Sequence, residues 1–317
     1  MNKRKIIANI LLILTAFIWG SAFVAQSVGM DKIPPFAFNA VRFILGGLSL
    51  LPVILICNLK FGNLEAVQSD SEYQKNKSYL WKGGILCGIF LFAASYLQNA
   101  GLQYTTAGKA GFITALYIIF VPLIGLFFKK KVKPAVWVSI IIAMVGLYFL
   151  CINETFSVNK GDFYVFLCSL PFAGHILLID KFSPYVSGIK MSCIQFFTAG
   201  ILSLIFMLIF EKPEFSAITE CWLPLLYIGI MSCGVAYTLQ IIAQKNTSPA
   251  AASLLLSTES VFAVISGMLI LQEKLNLTEI TGCILMFAAV IITEIFGKDN
   301  CKDSLKDTVK EENIWEK

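Results

Sequence analysis

Ten runs of about twenty apolar residues, separated by short polar connections, fill almost all of this 317-residue chain. They fall at about 6–29, 36–57, 79–101, 107–128, 134–152, 163–179, 188–210, 221–243, 250–271 and 276–296. A helix rising 1.5 Å per residue needs about 20 residues to cross roughly 30 Å of hydrocarbon, so each run is long enough to span a lipid bilayer. Strands of a membrane β-barrel would be shorter and would alternate polar with apolar, which these runs do not. Composition agrees. Hydrophobic residues make up 57% and charged residues 14%, against roughly 45–50% and about 25% in soluble proteins, and the mean hydropathy is +0.76. A soluble globule has too little interior for that much apolar side chain, which excludes an ordinary water-soluble enzyme. The net charge of +5 does not point to nucleic acid, because the lysines lie in short clusters between apolar runs and form no basic stripe.

The expected fold class is therefore an all-α membrane protein with ten transmembrane helices. Met1–Lys5 followed by an apolar stretch has the outline of a signal peptide, but the stretch outruns the ~7–15-residue core of such signals, and it is read as the first span. Lys and Arg set the orientation. With the N-terminus inside, the inner side collects Lys3, Arg4 and Lys5, the lysines of the 58–78 loop and those at 129–133. Lys181, Lys190, Lys245 and the lysines of the tail join them, while the outer side holds Lys32, Lys160, Lys212 and Lys274. Both termini are expected to be cytoplasmic, in the cell membrane.

Five spans precede a loop at about 153–161 and five follow it. Asn39–Phe43 matches Ser192–Phe196 at an offset of 153, which also pairs Gly47 with Gly200 and Trp19 with Phe172. Later the offset reads 143, pairing Thr105–Ala107 with Ser248–Ala250 and Lys131 with Lys274. An odd number of spans per half places the halves in opposite orientations. The expected organisation is two inverted five-helix repeats, 6–152 and 161–296, and a charged cytoplasmic tail, 297–317. Inverted repeats build many secondary transporters, with the substrate near the midplane between the halves.

Several short motifs recur in a fixed order across the spans. They are Phe17-Ile-Trp-Gly20 in span 1, Val41-Arg-Phe43 in span 2, and Gly108–Phe112 with Val121-Pro122 in span 4. Gly161-Asp162 opens the second half, and Ser257-Thr-Glu259, Gln272-Glu-Lys274 and Gly282 mark spans 9 and 10. In these features the chain resembles the ten-helix EamA-type exporters of the drug/metabolite transporter superfamily, over about residues 6–296. The resemblance implies carriage of small metabolites, often amino acids and related compounds, by alternating access. It also implies a central cavity built mainly from spans 1, 3, 4, 6, 8 and 9. A nucleotide-sugar, sugar-phosphate or drug carrier of the same fold is the alternative within transport. Proline often follows the span 9 glutamate in the family; Ser260 stands there in this chain, so the kink inferred from family members is expected to be absent.

Charges inside the hydrocarbon cost about 2.5–3.5 kcal/mol on insertion scales, so each needs a reason. Arg42, about six residues into span 2, reads either as a clamp for a substrate carboxylate or as a tie to helix-end carbonyls or a snorkelling side chain. Lys109 either snorkels to the outer surface or adds positive field at the cavity mouth. Glu259 lies mid-span, where snorkelling cannot rescue it; it pairs, is protonated or faces water. It is a candidate for substrate binding and for proton coupling. His175, the single histidine, is a second relay candidate, with an interhelical hydrogen bond as the plainer reading. Trp19, Tyr96, Tyr117 and Tyr237 could wall a cavity, and Gln98 could bind substrate, though each also reads as core packing or, like Gln26, Asn99, Gln195 and Gln240, as helix glue. Arg42 and Lys109 together outweigh Glu259, which predicts an anionic group on the cargo. Gly84 and Gly88 form a GxxxG step suited to packing inside the bundle, with a homodimer seam as the weaker alternative. The nine cysteines include no CxxC and no Cys/His cluster, so no metal or other cofactor is indicated. No nucleophile–base–orienter set and no P-loop is present. A membrane-embedded enzyme or a receptor or scaffold is the alternative from another class.

Overall fold

The computed structural model describes residues 3–61, 70–105, 107–128, 132–151, 159–271 and 277–296. Among these residues every regular element is helical. The first half runs α1 (Lys3–Met30), α2 (Pro35–Phe61), α3 (Asp70–Leu102), α4 (Ala107–Thr114), α5 (Tyr117–Phe127) and α6 (Pro134–Cys151). The second runs α7 (Lys160–Phe182), α8 (Gly188–Phe210), the short α9 (Phe215–Glu220), and a span Trp222–Gln244. That span passes from α10 (Trp222–Leu226) through a π-wound stretch, Tyr227–Tyr237, into α11 (Thr238–Gln244). The half closes with α12 (Pro249–Leu256), α13 (Glu259–Leu271) and α14 (Leu277–Phe296). Eight of these helices or helix pairs have the length and apolarity of a membrane span, and two shorter apolar helices, Pro134–Phe149 and Ile280–Thr293, complete ten. Both ends of the described chain lie on one face, called here the near face; α2, α4 and α7 begin at the far face.

The distribution of side chains is inverted relative to a soluble protein. Phe127 and Leu208 are 87% and 73% exposed, whereas Asn39, Asn99, Ser192 and Gln195 are completely buried. Apolar side chains face outward because lipid is as apolar as they are, and polar groups turn inward to find partners. Helices α2 and α3 extend past their apolar runs, to Phe61 and back to Asp70, which converts much of the predicted polar loop into helix. Lys131, the Gln272–Lys274 motif and the tail 297–317 lie outside the described residues.

Spans 4 and 9 are each interrupted at the same place. Ala115, Leu116 and Ile118 donate their N–H groups to the carbonyls of Gly111, Ile113 and Ala115, and Ser257, Thr258 and Ser260 donate to Ser253, Leu255 and Ser257. The switch from i−4 to i−3 bonding tightens one turn in each span. The expected absence of a kink in span 9 is thus corrected: the helix breaks without a proline. The Ser257 and Thr258 hydroxyls donate to the Leu254 and Leu255 carbonyls at 2.8 and 2.6 Å, satisfying groups near the break.

These breaks fix the repeat register. Helix α4 begins and ends 142 residues before α12, and α5 begins 142 residues before α13, one fewer than the sequence pairing of 143. Tyr117 and Glu259, each the first residue after its break, are therefore counterparts. Helices α2 and α8 keep the offset of 153 at their starts, Pro35 and Gly188. Their contacts are mirrored: a Cβ on Gly47 would meet the Phe197 ring at 3.1 Å and one on Gly200 would meet Ile44 at 3.0 Å, and Ile44 and Phe197 are again 153 apart.

Glycines set the closest approaches. The GxxxG step packs α3 on α8, with Gly84 against Ile194 and Gly88 against Thr198. It is occupied inside the bundle and supplies no homodimer seam. Gly20 brings α1 against the start of α13, where a Cβ would lie 2.5 Å from Phe262 Cβ and 2.6 Å from the Glu259 carbonyl oxygen. Overpacking of this kind costs about 1–3 kcal/mol. Gly20→Ala is expected to lower the Tm of the purified protein by several degrees in a thermal-shift assay; an unchanged Tm would show that α1 and α13 are not in this contact.

Candidate functional site

Between the halves lies a cavity lined by Trp19, Ala22, Phe23 and Gln26 from α1, Arg42 from α2, Gln98 from α3, Thr114 and Tyr117 from the span 4 break, Phe172 from α7, Ser232 and Tyr237 from the π-wound stretch, and Glu259 from the span 9 break. Its volume is about 40 Å³, room for roughly three waters. Trp19 and Phe172 are counterparts at the 153 offset, as Tyr117 and Glu259 are at 142, so the lining is built around the relation between the repeats. The ionisable groups break that symmetry: Arg42 answers to Gln195, and Glu259 to Tyr117.

Arg42 is 4% exposed. Its Nη1 donates to Gln26 Oε1 at 3.0 Å, and its Cζ lies 4.7 Å from the Phe43 ring centroid and 5.8 Å from that of Phe38, within cation–π range. The Nε has no hydrogen-bond partner. Among the described residues no carboxylate pairs with it and no helix-end carbonyl accepts from it, so most of a five-donor fork is left unused.

Gln26 is the hub that holds this guanidinium. Its Nε2 donates to Gln98 Oε1 at 3.1 Å and to Asn99 Oδ1. Gln98 Nε2 donates to Thr114 Oγ1 at 3.1 Å, and Asn99 Nδ2 to Asn39 Oδ1 at 2.8 Å. The Gln26 amide is thereby oriented with its oxygen toward Arg42, and four spans are linked through one buried polar network.

Glu259 is also 4% exposed. Its Oε1 accepts from the Tyr117 hydroxyl at 3.0 Å, and no cation pairs with it among the described residues. This bond joins the first residues of the two half-helices, one from each repeat. Trp19 Nε1 donates to the Ser232 carbonyl at 3.4 Å, and its ring lies 4.5 Å from that of Tyr237, fixing one wall.

Six of the sequence candidates thus converge: Trp19, Arg42, Gln98, Tyr117, Tyr237 and Glu259. Three do not reach the lining. Lys109 Nζ lies 2.6 Å from Asp162 Oδ2 near the far face, so it is neutralised there and adds no positive field to the cavity. The expectation that two cations outweigh Glu259 is corrected accordingly: it left Asp162 out of the count. Tyr96 stacks on Phe36 at 4.1 Å, outside the cavity. His175 sits behind the wall, its Nε2 3.0 Å from Gln195 Oε1 and its ring 5.8 Å from that of Tyr237. Phe23, Thr114, Phe172 and Ser232 were not among the sequence candidates; only Phe172 carried a signal, its pairing with Trp19. At the far face, outside the spans, Lys32 and Glu220 pair at 2.8 Å. Their hydrogen bond raises the Lys32 ammonium and lowers the Glu220 carboxyl from their ordinary values, but so exposed a pair contributes little to stability.

Ten apolar helices packed around a buried polar cavity define the class of multi-pass membrane proteins. Residues 6–152 and 159–295 both match the EamA-like transporter family, and the chain belongs to it. An uncharacterized transporter of Archaeoglobus fulgidus is 33% identical over 92% of this chain and 87% of its own length. The inner membrane transporter YedA of Escherichia coli is 24% identical over 87% of each chain, and YoaV of Bacillus subtilis is 24% identical over 89% of this chain and 94% of its own. A solved crystal structure superposes with a TM-score of 0.72 at 16% identity, over 92% of this chain and 97% of the other, which establishes the fold. The protein is a multi-pass membrane transporter of the drug/metabolite transporter superfamily and not an enzyme.

Proposed function

We propose that this transporter exports a small zwitterionic metabolite, an amino acid or a related compound, by alternating access through the central cavity. The observation that carries the reading is that Arg42 and Glu259 line one cavity without pairing with each other. An unpaired buried cation and an unpaired buried carboxyl are costly to keep, and a ligand with opposite charges relieves both. The cargo carboxylate takes the Arg42 fork, its ammonium takes Glu259, and the aromatic wall takes the apolar part. The cavity as it stands admits a few waters, so loading requires the repeats to part. The distribution of Lys and Arg supports cytoplasmic termini, which makes the near face cytoplasmic. The repeat units are 6–152 and 161–296. Proton coupling is a second reading of the same site, favoured by the single hydrogen bond of Glu259, to Tyr117: a carboxyl between two half-helices can exchange a proton for the cargo ammonium.

Counterflow in proteoliposomes with a panel of amino acids, nucleotide sugars and sugar phosphates tests this, with and without a pH gradient. Saturable exchange of amino acids is expected. Exchange confined to nucleotide sugars or sugar phosphates would overturn the assignment.

A further inference from the structure

The two faces of this bundle are closed by different chemistry, although the repeats place equivalent positions at each. At the far face, Asp162 in the first turn of α7 is 6% exposed and pairs with Lys109 of α4 at 2.6 Å. Thr105 Oγ1 also donates to it at 2.7 Å, and Asp162 closes a capping box with Asn159. A second tie joins α8 to α2: the Glu211 carboxylate accepts from the Phe36 and Ala37 N–H groups at 3.0 and 2.8 Å, a charge well placed at a helix N-terminus.

The registers of 153 and 142 carry these positions to the near face. Asp162 maps to Asn9, Lys109 to Ala251 and Glu211 to Asn58. The mirrored helices still pack together, α12 on α1 and α8 on α2, but none of the three charges is reproduced at these positions; a near-face tie lies elsewhere and within the second half, where Lys245 Nζ donates to the Val186 carbonyl at 2.6 Å. Ser187, the N-cap of α8, makes no capping bond from its side chain. The buried Asn9 Oδ1, Gln244 Oε1 and Thr247 Oγ1 have no hydrogen-bond partner there. Buried polar groups left unpaired favour whatever motion brings them water.

We propose that the far face is the locked gate of this carrier: the Lys109–Asp162 pair and the Glu211 cap hold the far side shut at rest, and the near side, where these ties have no equivalent, opens first. Cargo then loads from the near face, and release at the far face waits on rupture of a shielded ion pair. Asp162, Lys109 and Glu211 are positioning residues for that step; none lines the cavity. The inference rests on the alternating-access reading above.

Two thiols at equivalent depth report on the gates. Cys168 lies about two turns from Asp162 along α7, between it and the cavity, fully buried, with its Sγ 3.7 Å from Oγ1 of the lining residue Thr114. Its counterpart is Thr15, also fully buried, so Thr15→Cys supplies the near-path reporter. A charged methanethiosulfonate reagent is applied and modification is followed cysteine by cysteine by peptide mass spectrometry. The introduced thiol is expected to react at least tenfold faster than Cys168. Asp162→Asn and Lys109→Met should each speed Cys168 at least tenfold, the double variant no further than either single one, and none should speed the near-path thiol. Glu211→Gln, which leaves the buried pair intact, should speed Cys168 several-fold and serves if the pair variants do not fold. Unchanged Cys168 reactivity in every folded variant, or equal acceleration of both thiols, would overturn the proposal. The assay contains no cargo, so its failure is separate from a failure of the substrate panel.

Discussion

Arg42→Ala abolishes saturable amino-acid uptake while folded protein remains in the membrane: that is the largest effect expected of any single substitution. Truncating one partner of a buried, hydrogen-bonded charge pair costs about 2–5 kcal/mol, a loss of roughly thirtyfold to several thousandfold in affinity. The fold is expected to survive, because the change removes an unpaired buried charge and leaves Gln26 Oε1 as the main orphan, at about 1–3 kcal/mol. Arg42→Lys separates charge from geometry. It keeps a cation near Gln26 but loses the planar fork that meets a carboxylate at two points, and it should retain a weak, saturable uptake between the two extremes. Transport kinetics measured in proteoliposomes, with monodispersity by size exclusion as the folding control, decide it. Wild-type kinetics in Arg42→Ala would remove this residue from the site.

The second large effect falls on Glu259. Glu259→Gln is nearly isosteric, and its amide oxygen still accepts from the Tyr117 hydroxyl, so the contact between the two half-helices persists. What it removes is a charge and an exchangeable proton. Uptake driven by a pH gradient should fall at least tenfold toward background, while exchange of cargo without a gradient should fall less. Retention of the full response to the gradient would show that the proton travels elsewhere. His175 is the control: it lies behind Tyr237 and outside the lining, and His175→Gln should leave the gradient response in place.

How much of this was legible in the sequence follows from what each residue costs to place. Arg42 and Glu259 were legible because a charge in hydrocarbon is expensive wherever it points, so its type and depth alone mark it. Trp19 and Phe172 were paired by the repeat before either was seen in the wall. Tyr96 stayed open for the opposite reason: an aromatic ring is comfortable in lipid, in packing or in a cavity, and nothing in its identity chooses among them. Its place is set by the Phe36 stack, a contact between α2 and α3 that no local pattern encodes. Lys109 was placed at the right depth, but its partner Asp162 lies 53 residues away and reads in sequence as an ordinary helix start. The span 9 break escaped because proline was the expected cause, whereas serine and threonine hydroxyls satisfy its carbonyls instead. The register of 142 escaped with it, since sparse identities tolerate a slip of one residue and only the positions of the two breaks resolve it.

The central claim is that one cavity binds opposite charges on one solute, and competition by blocked analogues tests it most directly. Counterflow of the amino acid that exchanges best in the panel is measured against its carboxamide, which lacks the carboxylate, and its N-acetyl derivative, which lacks the ammonium. The account predicts that both compete at least thirtyfold more weakly than the parent in the wild type, and that the carboxamide is no longer disfavoured in Arg42→Ala when residual binding is read directly. Equal competition by parent and carboxamide in the wild-type protein would contradict it.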